Sequence, residues 1–137
     1  CEAPTAPGNL DSLAAGRAQW HAKGAETYSY DLNRNCFCIF GGRQMTVTVQ
    51  HGAVTGADYV DSGNTVEAAL LAYVPTIPDL FDLIEGALKG PTAYFFASYD
   101  PTYGYPTRIE IDYSANVADD ELAISARSLV VTGPRTP

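Results

Sequence analysis

Apolar residues change their spacing along the chain, and each change marks a new element. Over residues 9–23, Leu10, Leu13, Ala14 and Trp20 recur at helical intervals, which predicts a helix. Asn9 or Asp11 stands where its start needs a cap, and Gly24 stands where it ends. Arg17 falls in the same stripe, so its stem packs while its charged head reaches water. The period then drops to two. Tyr28, Tyr30 and Leu32 alternate with polar residues, and so do Met45, Val47 and Val49. Cys36, Cys38 and Phe40 repeat the same spacing before a turn at Gly41–Gly42. His51–Gly52 reads as a two-residue hairpin turn, with a further strand over 53–60. These strands predict an antiparallel meander with one buried and one wet face.

Residues 61–75 are less periodic. Asp61-Ser62-Gly63-Asn64 is a loop, and Val66 to Val74 reads as either a short helix or an irregular strand. A second helix follows with a full set of signals. Thr76 caps it, Pro78 lies in its first turn and Asp79 occupies the capping-box position. Ile77, Leu80, Phe81, Ile84 and Leu88 form its stripe, and Lys89-Gly90-Pro91 stops it. Residues 92–99 are almost continuously apolar or aromatic, the pattern of a central strand. A Tyr-rich connection over 101–106 leads to alternation at Ile109, Ile111 and Tyr113, and a last strand spans 121–131. The reading is one α+β domain over 9–132, with a flexible tether at 1–8 and a tail at 133–137. It predicts an antiparallel sheet of about seven strands with both helices on one face, in the order α-ββββ-α-βββ.

Composition narrows the partners. A chain of 137 residues that is 46% apolar buries a core without staples. Sixteen acidic against eight basic residues give a formal charge of −8. That excludes the basic footprint of a nucleic-acid binder and of a patch adhering to anionic lipid. Cys1 opens the sequence, and Glu2-Ala3-Pro4-Thr5-Ala6-Pro7-Gly8 after it has no periodic pattern. Bacterial lipoproteins begin at a cysteine that carries acyl chains, so the expectation is lipidation of Cys1. Each buried methylene of such an anchor adds about 0.8 kcal/mol. The alternative is a boundary that happens to fall at Cys1.

Several clusters occur together in order. Trp20 closes the first helix, and Tyr28-Ser29-Tyr30 precedes Cys36-Phe37-Cys38. Val47-Thr48-Val49 is followed by Gly52-Ala53-Val54, and Thr76-Ile77 leads into Leu80-Phe81 and Ile84. Tyr99-Asp100 precedes Gly104-Tyr105-Pro106 and then Ile109-Glu110-Ile111-Asp112. Over roughly residues 10–125, 58–75 excepted, the chain resembles an uncharacterised family of bacterial secreted proteins and lipoproteins, a domain of unknown function. The resemblance implies export and a compact domain. It carries no catalytic residue across.

Cys36 and Cys38 are the most pointed chemical feature. Two apart on a strand, they share a face with Cα atoms about 6.5–7 Å apart, at the limit for a disulfide. A structural disulfide in an oxidising compartment, buried free thiols, and redox or metal chemistry are the readings, in that order. A metal site would want more ligands, and only Cys1, His21 and His51 remain. His21 suits a helix C-terminus and His51 a turn. Asp112, Asp119, Asp120 and Glu121 form an acidic cluster without EF-hand spacing. Gly41–Gly42 lacks the Lys of a phosphate loop, and no serine sits in a nucleophile elbow. Tyr99, Tyr103 and Tyr105 surround Gly104, and either pack on the domain or form a partner-binding surface.

The resulting expectation is a lipid-anchored, extracytoplasmic binding or accessory protein without catalytic activity, including as a peripheral subunit of a membrane or envelope complex. It needs no cofactor, holds no metal and binds no nucleic acid. The alternatives are a thiol-redox or metal-handling protein using Cys36 and Cys38, and a hydrolase with an unrecognised site.

Overall fold

Alternation at Tyr28, Tyr30 and Leu32 and at Met45, Val47 and Val49 produces two strands that meet register to register. Tyr28 lies opposite Val49, Tyr30 opposite Val47 and Leu32 opposite Met45. All six side chains are buried. Their neighbours on the other face, Ser29 and Thr48 or Asp31 and Thr46, are polar pairs. Thr46 Oγ1 donates to Asp31 Oδ1 at 2.9 Å. One face of the sheet is therefore core and the other is wet, as a period of two requires.

The computed structural model describes residues 10–35, 43–90, 92–112 and 121–134. Its elements are α1 (Leu10–Lys23), β1 (Ala25–Asn35), β2 (Gln44–Gln50), β3 (Ala53–Tyr59), α2 (Ile77–Lys89), β4 (Tyr94–Tyr99), β5 (Pro106–Asp112) and β6 (Glu121–Pro134). A short 3-10 segment, Ala68–Tyr73, precedes α2. The strands form one antiparallel sheet in the order β3-β2-β1-β6-β5-β4. A helix followed by three strands thus occurs twice. In the first half the first strand is central, and in the second half the last strand is, so the halves are not equivalent.

Two expectations are corrected. The sheet has six strands among the described residues, in the order α-βββ-α-βββ, not seven. β1 and β2 pair directly, Asn33 opposite Gln44, so no strand is needed between them. The strand expected around Cys36–Phe40 lies outside the described residues, as do the tether at 1–8 and the end of the tail. The apolar run at 92–99 is not central. As β4 it is the edge beyond β5. A continuous apolar run reports side-chain type on both faces, and says nothing of how many neighbours the backbone has.

Both helices lie on the core face. Trp20 at the end of α1 and Ile77 at the start of α2 each meet Tyr28. α2 buries Ile77, Leu80, Phe81, Ile84 and Ala87. α1 buries Leu13, Gly16 and Trp20, while Leu10 is exposed. The helices are joined by Arg17, whose guanidinium forks to Asp82 and Glu85 of α2, each at 2.7 Å. Such exposed pairs are worth about 0–1 kcal/mol, so they set the crossing more than they stabilise it.

Gly16 is where α1 meets the turn before β5. A Cβ on it would lie 2.8 Å from the carbonyl oxygen of Gly104. Gly104 has φ +81° and a Cβ there would lie 2.5 Å from the carbonyl oxygen of Gly16. Two backbones touch with no room for a side chain between them. Gly104→Ala is expected to lose about 2–3 kcal/mol, from strain and forced separation together. Gly86→Ala, on the exposed side of α2 with nothing within 4 Å, is expected to gain about 0.5–1 kcal/mol. Urea midpoints at unchanged slope measure both, and equal effects at the two positions would refute the close-approach account.

Candidate functional site

The segment Pro75–Ile77 turns the chain into α2 against the middle of the sheet. The first N–H groups of a helix lack intrahelical partners. Here Thr76 Oγ1 accepts from the Asp79 N–H at 3.2 Å, and Asp79 Oδ2 accepts from the Thr76 N–H at 2.9 Å. The Ile77 N–H donates to the Tyr28 hydroxyl at 3.0 Å, and Pro78 has no N–H to place. Tyr30, fully buried, donates its hydroxyl to the Pro75 carbonyl at 2.5 Å. Trp20 closes over Tyr28 edge-on, with ring centroids 5.2 Å apart. Burial pushes the Tyr28 hydroxyl up to about 12, with Asp79 adding to the shift and the Ile77 bond opposing it. Burial also raises Tyr30 well above the ordinary phenol range.

Beside this junction lies a hollow of about 230 Å³. Val74, Pro75, Leu80, Leu83 and Ile124 give it apolar walls, and Arg34 and Asp79 are its charged lining. Arg34 is there because β1 continues its alternation. Tyr28, Tyr30, Leu32 and Arg34 share the core face, and Arg34 lies opposite Ile124 of β6. Its Nε is inaccessible to solvent and has no hydrogen-bond partner among the described residues. Its Nη1 reaches the Tyr73 carbonyl only at 3.5 Å, the outer limit of a hydrogen bond. Asp79 is engaged in the helix cap, and no ion pair to Arg34 exists among the described residues.

The three tyrosines around Gly104 are brought together, but largely as packing. The Asp100–Tyr105 turn is closed by the Asp100 N–H on the Tyr105 carbonyl at 2.8 Å. Asp100 Oδ2 accepts from the N–H groups of Thr102 and Tyr103. Gln19 of α1 donates to the carbonyls of Pro101 and Thr102. Tyr105 is 5% exposed and meets Trp20 edge-on at 6.4 Å. It belongs to the core, not to a surface. Tyr99 stacks on Phe81 at 6.5 Å, and its buried hydroxyl has no partner among the described residues. Burial lifts that hydroxyl to about 12. Tyr103 is partly open, as the ring of Tyr99 is, and lies under the Lys23 ammonium.

The remaining candidates stay apart. Cys1, Cys36, Cys38, Asp119 and Asp120 lie outside the described residues. His21 is exposed at the end of α1, and His51, at φ 53°, is an exposed turn residue. Among the described residues no group of three His, Cys, Asp or Glu comes close enough to hold a metal ion.

Two features escaped the sequence reading. Arg34 was legible in principle, since counting in twos from Tyr28 puts it on the apolar face. The outer edge of β4 was not, because only the sheet order exposes it. No described strand pairs there, and the strand Tyr94-Phe95-Phe96-Ala97-Ser98-Tyr99 carries no charge. Tyr94 and Phe96 point to the wet face, opposite Asp112 and Glu110, and Tyr94 is 53% exposed.

The sequence pattern of a family of unknown function, DUF6174, matches residues 12–131. No curated protein and no solved structure matches the chain.

The buried phenols give a pH signature. Tyr28 and Tyr99 ionise near 12 in the folded chain and near 10 when unfolded. Above pH 10 the unfolded state binds fewer protons, so stability falls as pH rises from about 10 to 12 and is unaffected by these groups below 10. A loss on the order of 2 kcal/mol per tyrosine is expected across that window. Tyr28→Phe should flatten part of the slope in chemical denaturation at stepped pH. It should also cost about 1–3 kcal/mol at pH 7, because the Ile77 N–H loses its acceptor. An unchanged slope would show that Tyr28 titrates normally.

Proposed function

The chain belongs to the DUF6174 family, which brings no activity with it, and we propose that it is an extracytoplasmic binding or accessory domain, held at a membrane by acylated Cys1, that recruits a protein partner of the envelope. The β4 edge carries this reading. The other edge of the sheet, β3, is closed over its second half, Ala57–Tyr59, by the returning chain. Asp58 bridges to Thr65, the Tyr59 N–H donates to the Asn64 carbonyl and the Val66 N–H donates to the Ala57 carbonyl. β4 has no such cover among the described residues. Unpaired edges invite another strand, and proteins that do not use them blunt them with charge, proline or a covering loop. β4 has neither charge nor proline over its six residues. Strand addition supplies main-chain hydrogen bonds, and alternate side chains select the partner. On this edge the selecting side chains are Tyr94 and Phe96, with Tyr103 near the end where Tyr99 stands. Cys1 and the unpatterned residues after it support the tether. The envelope setting rests on that tether and on the resemblance to exported proteins.

Two measurements test the two halves. Intact mass of the protein extracted from its native membrane should show acyl mass on Cys1, and an unmodified cysteine would remove the anchor. A photo-crosslinking residue at Tyr94 or Phe96 should trap one discrete envelope protein in intact cells, and one at exposed Asp58, in the covered half of β3, should not. Equal labelling from both edges, or none from β4, would overturn the edge assignment.

A further inference from the structure

The hollow beside the start of α2 has no role in strand addition, and its chemistry is specific. We infer that it binds a small organic monocarboxylate whose apolar body is about the size of an aromatic ring or a branched alkyl group. Four observations converge on that class.

The first is size. An engineered apolar cavity of about 150 Å³ holds benzene. At about 230 Å³ the hollow takes a ring and a carboxylate. The second is the walls. The side chains of Leu80, Leu83, Val74, Pro75 and Ile124 offer no hydrogen bonds and favour an apolar body, while Arg34, Tyr73 and Asp79 form a polar side. The third is the charge. Arg34 is a partly exposed guanidinium on the core face of β1, with an Nη1 at a 3.5 Å stretch from a carbonyl and a shut-in Nε lacking a described partner. A buried N–H of this kind is expensive to leave unmade, and a carboxylate satisfies a guanidinium through two parallel bonds. The one carboxylate in the lining, Asp79, already serves the cap of α2.

The fourth observation separates carboxylate from phosphate. A phosphate group at a helix start draws on free backbone N–H groups. Here the N–H groups of Thr76, Ile77 and Asp79 are already bonded to Asp79, Tyr28 and Thr76, and Pro78 has none. The side-chain donors left in the described lining are the Arg34 guanidinium and the exposed Tyr73 hydroxyl. A guanidinium fork matches the two oxygens of a carboxylate.

The test uses the full chain, with benzoate and phenylacetate as probes and benzylamine as the cationic counterpart of the same shape. Two-dimensional NMR follows the Arg34 Nε–H and the methyls of Leu80 and Leu83 during titration. Benzoate or phenylacetate should move these signals saturably at millimolar concentration or below, and benzylamine should not. Arg34→Met keeps the stem and removes the fork, and should weaken the carboxylate at least tenfold. Leu83→Trp keeps Arg34 and fills the space, and should abolish binding. If Arg34→Met fails to fold, the Leu83→Trp titration and the Arg34 Nε–H shift in the unmodified chain decide the matter. Binding of benzylamine as tight as that of benzoate, full affinity in either folded variant, or no saturable shift with either acid would overturn the assignment. The last of these is the result expected of a hollow that holds only water. None of these outcomes bears on whether β4 recruits a partner.

Discussion

Two phenolic hydroxyls on β1 fix where α2 begins, and much of the molecule follows from that placement. The polypeptide must turn at Pro75–Ile77 directly over the sheet, where its polar backbone is cut off from water. A buried N–H or C=O without a partner costs about 1–3 kcal/mol. Tyr28 accepts from the first N–H of α2, and Tyr30 donates to the carbonyl before it. One tyrosine acts as acceptor and the other as donor, two residues apart on the same face. A shift of α2 by one residue would leave both bonds unmade. Because the helix start cannot move, Phe81 arrives under Tyr99 and Asp82 and Glu85 arrive within reach of Arg17. Leu80 and Leu83 arrive beside Arg34.

The same face shows how the two halves of the chain are joined. β1 pairs with β6 over much of its length, so the last strand to be made lies beside the first. That pairing is irregular. Ser29 and Asp31 of β1 oppose Val130 and Arg127, which puts an extra residue into β6, and Ser128 there has φ 60°. A bulge of this kind bends a strand and increases its twist. On one side of the seam the second half of the edge strand β3 is covered, with Arg43 stacked 3.6 Å over Tyr59 and paired to Asp61. On the other side, the aromatic strand β4 has no described neighbour beyond it. The asymmetry is one of side-chain type as well as of pairing, since Asp58 is charged and β4 is not.

Elements with local signals were legible in the sequence. α2 was, because cap, proline, periodic stripe and terminal glycine all agree. The β2–β3 hairpin was, because His51–Gly52 can take the positive φ that a two-residue turn demands. What the sequence concealed was long-range. α1 buries Gly16 where the apolar count pointed to Leu10 and Ala14, because the contact there is backbone on backbone and no hydrophobic residue marks it. The 3-10 segment Ala68–Tyr73 buries nothing itself, while Val66 and Val74 on either side are anchored, so its own pattern was mute. The Tyr-rich turn stayed open between packing and surface because tyrosine suits both. Its fate was decided by Trp20, which lies some 85 residues away in sequence. Arg34 carried a local signal in its register, but the hollow it faces depends on α2 and β6 being in place.

That dependence bears on why an arginine is tolerated on the core face at all. Arg34 is partly exposed, so the cost falls on its Nε, a shut-in donor without a described partner, at about 1–3 kcal/mol. The backbone groups at the start of α2 are met by Thr76 and Asp79 beside them and by Tyr28 and Tyr30 across the core. A fold that satisfies four groups so closely and leaves a fifth, the Arg34 Nε, without a described partner breaks its own pattern at one point. Folds break such patterns where something else is to be bound, because strain or desolvation kept in the free protein becomes affinity in the complex. Replacing Arg34 with leucine would complete the apolar face begun by Leu32 and Ile124, and would suit a fold selected for stability alone. The guanidinium is therefore better accounted for by what it meets from outside the chain than by anything it does for the sheet.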